Sequence, residues 1–281
     1  MEKLTYKEYQ KALKEIGIAY LGHHSQSAKM VLNETVGKEI TYSIYLAPWT
    51  SAGYVNGRLI NTCPSAQHCH QFCLSESGRA KIEELTYGKG NSNILNSRIK
   101  KTRLFYENRE LFMALLCYEL EKTRRMAINK GYTFSVRLNC TSDLSPLAFR
   151  VGNMNILEMY PDVQFYDYTK VPTRLELPKK YPNYDVTFSF DGYNWDTCLK
   201  ALANGINIAV VFETKKVPTT FKGFSVIDMT KSDLRYRDNK GNIGYVGYLE
   251  YHRTANDYKT GKYVSPNTPF VIREDNINIV Y

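Results

Sequence analysis

Six short runs of β-forming residues, several spaced by enough chain for a helix, constrain this sequence more than anything else in it. They are Thr41–Ala47 (TYSIYLA), Tyr132–Asn139 (YTFSVRLN), Val163–Tyr168 (VQFYDY), Asp185–Phe190 (DVTFSF), Ile206–Phe212 (INIAVVF) and Phe224–Ile227 (FSVI). Strands alternating with helix-length segments, of which Trp195–Ala203 is the clearest, form parallel βα units. Six such strands predict an α/β fold built as a partial, open parallel β/α barrel rather than a closed eightfold one. Apolar positions at Leu4, Tyr9, Leu13 and Ile16 predict a short amphipathic N-terminal helix. A second helix is expected over Ser75–Leu85. A long one follows from Ile94 to Asn129, interrupted near Glu107–Asn108 and stopped at Lys130–Gly131. No internal repeat is visible. The core is read as residues 1–231. From Ser232 the chain turns Tyr-, Asn- and Gly-rich, and GNIGYVGYLEY predicts a hairpin within a small C-terminal β extension, 232–281, packed on that core.

The chain is long enough, at 281 residues with 43% apolar and 23% charged, to bury a sizeable core as one large domain. The longest apolar runs, Ile206–Phe212 and Phe112–Cys117, fall far short of a membrane span. The opening MEKLTYKEYQKALKEIG lacks the apolar stretch of a secretion signal, so a cytoplasmic protein is expected. The formal net charge is +9, and it is concentrated. Between Arg98 and Lys130 nine basic residues face four acidic ones. Arg98, Lys100, Lys101 and Arg103 are therefore candidate contacts for a nucleic acid or nucleotide, against the plainer reading of a solvated helix face.

The six cysteines are unevenly placed. Cys117, Cys140 and Cys198 stand singly, and Cys117 and Cys198 read as buried structural thiols. Cys63, Cys69 and Cys73 crowd into TCPSAQHCHQFCL, and a reducing compartment argues against disulfides. Three readings stay open: a [4Fe–4S] cluster held by three thiolates with one open iron, zinc completed by His68 or His70, or plain loop thiols. The gaps of five and three residues suit a zinc knuckle less well.

In parallel α/β folds the chemistry gathers where strands end. The cysteine loop follows the first strand on that side. Asn139, Asp143, Asp167, Lys170 and Asp191 lie at other strand ends and are candidate cofactor-binding residues, although Asp143 and Asp191 could equally be helix caps. Cys140, among them, is either a fourth thiol ligand or a buried bystander. Arg174 is either an anchor for a carboxylate or phosphate or a surface charge, and His23 and His24 are loop histidines within reach of a ligand or simply solvated. No Gly-rich phosphate loop, HExxH or GxSxG occurs, which removes support for those enzyme classes.

Taken in order, TCPSAQHCHQFCLSESGR, SRIKKTRLFYENRELF, RLNCTSDLS and FYDYTKVPTR resemble the gene product 88-like family of bacteriophage proteins, over roughly Gly22 to Asp228. The resemblance implies a phage or mobile-element origin and hence the host cytoplasm. In layout the chain is also similar to radical S-adenosylmethionine enzymes, with three cysteines after the first strand and an aromatic residue just before the third. Cys63, Cys69, Phe72 and Cys73 occupy those positions, with gaps of five and three where three and two are usual; NCTSDLS stands where a glycine-rich stretch is usual. That likeness implies a [4Fe–4S] cluster whose open iron binds S-adenosylmethionine, Phe72 and the strand-end polar residues around the cofactor, and a reductant protein as partner. The substrate class would be a nucleotide, nucleic acid or small metabolite. The competing reading is a non-catalytic, metal-containing protein, with iron–sulfur or zinc, that binds nucleic acid or a host factor.

Overall fold

The computed structural model describes residues 3–25, 27–73, 75, 82, 83, 85, 86, 88, 92–252, 268–276 and 278–281. Seven strands carry its parallel ladder: β1 (Glu39–Ile44), β2 (Thr133–Arg137), β3 (Gln164–Thr169), β4 (Tyr184–Ser189), β5 (Ile208–Glu213), β6 (Phe224–Asp228) and β7 (Val246–Glu250). Their spatial order is β1-β2-β3-β4-β5-β7-β6, and every pairing in that row is parallel. Val271–Arg273 runs parallel beside the end of β5. Short antiparallel pieces finish both margins: Gly22–His23 on β1, and Thr220–Phe221 with Ile279–Val280 beyond β6. The result is a large, mostly parallel sheet with helices. Among the described residues no pairing joins its two margins into a barrel.

All six expected strands are present, shifted by at most two residues at either end except at the first, which ends three residues early, at Ile44. The C-terminal region departs from expectation. It is not an appendage on a core ending at 231, because Val246–Glu250 lies inside the sheet between β5 and β6 and pairs with both. Nor does GNIGYVGYLEY form a hairpin. Its glycines permit close approach rather than a turn. A Cβ on Gly244 would stand 2.3 Å from the Ile206 carbonyl oxygen, and one on Gly247 would stand 2.0 Å from Met229 Sδ.

Helix α1 (Tyr6–Ile16) begins with a Thr5–Glu8 capping box and ends at Gly17, whose φ of 71° places it in the left-handed region. Helix α2 (Ala28–Thr35) is capped by Ser27. The long helical stretch divides into α3 (Asn93–Glu107) and α4 (Arg109–Lys130). Asn108 leaves helical geometry between them and its side chain accepts from Leu111 N at 3.0 Å. Helix α5 is Trp195–Ala203. The helix expected over Ser75–Leu85 falls largely outside the described residues. No helix among the described residues is long and apolar enough to cross a membrane.

The strands alternate, and their two faces differ in kind. One face presents Tyr42, Ile44, Val136, Phe165, Val186, Phe188, Val210 and Phe212, which pack with Phe105, Phe112, Leu115, Leu116 and Leu202 into the main core. Each such side chain contributes about 1.5–3 kcal/mol on burial. The other face presents Thr41, Ser43, Ser135, Arg137, Tyr166, Tyr168 and Thr187. It is covered by α2, where Ser43 Oγ meets Met30 Sδ at 3.2 Å, and by the chain after β6, which supplies Asp233 to Arg137.

One buried charge ties the N-terminal elements to α4. The Glu119 carboxylate, 4% exposed, accepts from Tyr9 OH at 2.7 Å, Leu21 N at 2.9 Å, Gly22 N at 2.8 Å and Tyr42 OH at 2.5 Å. Four donors on two oxygens compensate an ion that would otherwise be costly to bury.

Candidate functional site

The cysteine loop crosses the C-terminal ends of the parallel strands. At its root, Thr62 donates to the Ala47 carbonyl at 2.6 Å, just past β1. Cys63 Sγ accepts from Trp49 N at 3.3 Å and lies 3.8 Å from the Thr141 carbonyl, just past β2. Midway, the His68 ring meets Tyr193, in the turn after β4, at 4.1 Å between centroids. At the far end Phe72 stacks on Phe270 at 4.8 Å and meets Tyr251, beyond β7, edge-on at 6.4 Å. Buried aromatic contact at one end and backbone hydrogen bonds at the other thus hold the loop over the strand ends.

None of the three loop cysteines is in a disulfide, and all are half-buried. The Cys63 thiol is pushed up to about 11, chiefly by burial, with the nearby Cys73 acting in the same direction. Cys69 turns toward the Phe72–Phe270 cluster. Among the described residues no three His, Cys, Asp or Glu side chains converge as a metal site. The donors fit an iron–sulfur cluster in kind, as three soft ligands on one loop. His70 is the one nearby imidazole with a fixed tautomer. Its Nδ1 lies 3.0 Å from the Ala66 carbonyl, which can only accept, so the neutral ring keeps its lone pair on Nε2. The ring stacks on Trp49 at 4.5 Å.

The expected polar strand-end residues are brought together in part. Arg174, 2% exposed, donates to Asp143, to Asp167 at 2.9 Å and to the Tyr184 hydroxyl. Asp167 also accepts from the Asn139 backbone at 3.0 Å and from its amide at 2.8 Å. Burial raises the Asp167 carboxyl, while Arg174 and Asn139 oppose the shift. Asp143 accepts from Thr169 Oγ1 and Lys170 N, each at 2.8 Å, and its own N–H donates to the Thr62 carbonyl at 2.7 Å. The hydrogen-bonding capacity of Asn139, Asp143 and Asp167 is therefore used internally, as a platform beneath the cysteine loop. Asp191 accepts from Tyr193 N and Asn194 N, both at 2.9 Å, and so closes the turn that leads into α5 rather than capping the helix itself. The Lys170 ammonium has no hydrogen bond or ion pair among the described residues.

The basic segment does not present one outward row of cations. Lys100 Nζ donates to the Gly17 carbonyl at 3.0 Å, at the end of α1. Lys101 is buried, 4.7 Å from the Tyr20 ring. Arg103 donates to the Tyr54 carbonyl at 3.0 Å and to Glu107 at 3.4 Å. Arg98 turns inward, donating to the Ser75 carbonyl at 3.3 Å and lying 5.3 Å from the Tyr45 ring. Of the loop histidines, His24 pairs with Glu34 at 2.8 Å and His23 stacks on His24 at 4.4 Å.

Two residues that sequence reasoning missed, Tyr45 and Arg137, sit at the center of this mouth. Tyr45 hydrogen-bonds the Cys140 thiol, which burial pushes up to about 11. Arg137 pairs with Asp233 at 2.5 Å and lies 4.9 Å from the Tyr168 ring. The signal was present in the alternation: Thr41, Ser43 and Tyr45 continue a polar face one step past β1.

A parallel α/β sheet whose strand ends are spanned by a cysteine-bearing loop, next to a polar sheet face, defines the class. The family model described as gene product 88 matches residues 22–259, and the chain belongs to that family. No curated protein and no solved structure matches it.

Proposed function

We propose that this gene product 88 protein is a phage-encoded iron–sulfur enzyme of radical type, with Cys63, Cys69 and Cys73 as ligands of a [4Fe–4S] cluster at the mouth of the polar sheet face. The observation that carries this reading is the path of the loop, from the ends of β1 and β2 at Cys63 to the ends of β5 and β7 at Phe72. When bound with S-adenosylmethionine at its open iron, such a cluster supplies an electron for reductive cleavage of the sulfonium. The chain's own residues hold the loop in register and shield it. Phe72 fixes its far end in an apolar cluster, and Thr62 and Asp143 fix its root over the ends of a mostly parallel sheet. The substrate is a nucleotide or small metabolite entering over the polar face, and the working compartment is the host cytoplasm.

Anaerobic purification with iron and sulfide analysis and electron paramagnetic resonance tests this. About four irons per chain are expected in the wild type. Cys63→Ala, Cys69→Ala and Cys73→Ala should each lose metal, while Cys198→Ala, whose thiol is buried in the main core, should keep it. Full iron in any of the three single variants, or a colorless active wild type, overturns the assignment. Zinc is the second reading, favored by the free Nε2 lone pair of His70 beside the loop. Stoichiometric zinc that is lost in His70→Ala would select it.

A further inference from the structure

Next to the cysteine loop, the polar face carries more positive charge than its carboxylates balance. Arg137 is paired with Asp233, Arg235 with Asp238 at 3.2 Å, Lys231 with Asp228 at 3.7 Å, and Arg237 with Glu39. Beside these pairs Lys29 and Arg98 make no ion pair among the described residues, although Glu83 lies within electrostatic reach of Arg98. Lys29 projects from α2, whose neighbors Met30 and Asn33 contact Ser43 at 3.2 Å and Ser232 at 3.4 Å, so it stands between the sheet face and the chain that covers it. There it feels Asp233, Arg235, Arg137 and Asp228, and burial lowers its proton affinity. Arg98 reaches in from α3, over the Tyr45 ring. On the polar face Tyr45, under Arg98, and Arg137, against the Tyr168 ring, each keep part of the side chain in contact with solvent. Arg137 Nε, and Nε of the 1%-exposed Arg235, are buried donors with no acceptor among the described residues.

Buried donors without acceptors are costly, and half-buried cations outside any ion pair more so, unless a ligand satisfies them. We infer that this mouth binds the phosphate group of a phosphate monoester, with Lys29 and Arg98 as its charge partners and Arg137 as a hydrogen-bond donor. A dianion suits the two cations Lys29 and Arg98, and guanidinium and ammonium groups together suit phosphate geometry. The inference rests on the strand-end mouth being the working site and names the substrate class for it. It does not require the metal.

Isothermal titration calorimetry on metal-free protein, with AMP and inorganic phosphate as probes and succinate as comparator, tests it independently of the cluster. AMP and phosphate should bind and succinate should not. Lys29→Gln and Arg98→Gln should each weaken AMP about tenfold, as expected for loss of one charge-assisted hydrogen bond. Lys231→Gln, at an exposed and already paired lysine, should leave affinity unchanged. Arg98 also holds the Ser75 carbonyl, so Lys29→Gln with an unchanged melting temperature is the decisive variant. Wild-type affinity in folded Lys29→Gln overturns the proposal. So does equal binding of succinate, an equal loss in Lys231→Gln, or no binding of AMP by folded wild type.

Discussion

Lys101 carries its charge where the surroundings oppose it. Burial pulls its ammonium from the usual 10.5 down to about 8, with Glu119 partly opposing the shift. Below pH 8 both folded and unfolded chains hold this proton, and the folded state bears the full cost. Between 8 and 10.5 the unfolded chain binds more protons than the folded one, so stability rises with pH across that window. The cost at neutral pH is about 3 kcal/mol, at about 1.4 kcal/mol per tenfold change in proton affinity. Lys101→Met should therefore raise the urea midpoint at pH 7 and flatten the rise between pH 8 and 10. An unchanged pH dependence in that variant would show that the wild-type rise comes from another group. At this scale the sequence was only partly legible. It marked Lys101 as basic but could not show that α3 turns it toward Tyr20, because burial depends on which helix face meets the core. The same limit left Arg174 open between an anchor and a surface charge, because its three partners come from β4 and the segments around β2 and β3.

At the scale of elements, local chemistry was a good guide wherever a cap or a period decided the outcome. The break at Asn108 and the stop at Gly131 are set by neighbors in sequence, and they lie where the sequence puts them. Strand β7 was misread because glycine has two uses, turning and yielding space, and only the tertiary partner tells them apart. Gly244→Ala separates these uses experimentally. Its new methyl would press on the Ile206 carbonyl, and backbone cannot retreat as a side chain can, so a loss of about 3 kcal/mol is expected in chemical denaturation. A turn glycine would lose far less. At Gly223, with nothing within 4 Å of a built Cβ, the cost is limited to that of its positive φ.

At the scale of the molecule, the cysteine loop works as a strap fixed at two ends, and the ends are unequal. The root is secured by several hydrogen bonds; the far end depends on one aromatic cluster. Phe72→Ala should leave the sheet folded, by far-ultraviolet circular dichroism, while reducing reconstituted iron severalfold, because Cys69 and Cys73 flank that anchor. Iron at the wild-type level in this variant would mean that the loop is positioned by the metal alone. The sequence revealed the loop, its cysteines and the strand ends beneath it. It could not reveal the contrast between the two sheet faces, since that depends on the register of every strand at once.

The insertion of β7 between β5 and β6 also has a consequence for biogenesis. During synthesis the first five ladder strands emerge in the order in which they pair, so each can dock on its predecessor as it leaves the ribosome. The sixth cannot dock, because its neighbor is still untranslated. Until residue 250 is made, the nascent polypeptide carries two open backbone edges facing a vacant slot, and such edges recruit other chains. A premature stop near 231 would therefore yield sticky fragments rather than a smaller working protein, and a chaperone that shields the slot would matter most in that late interval.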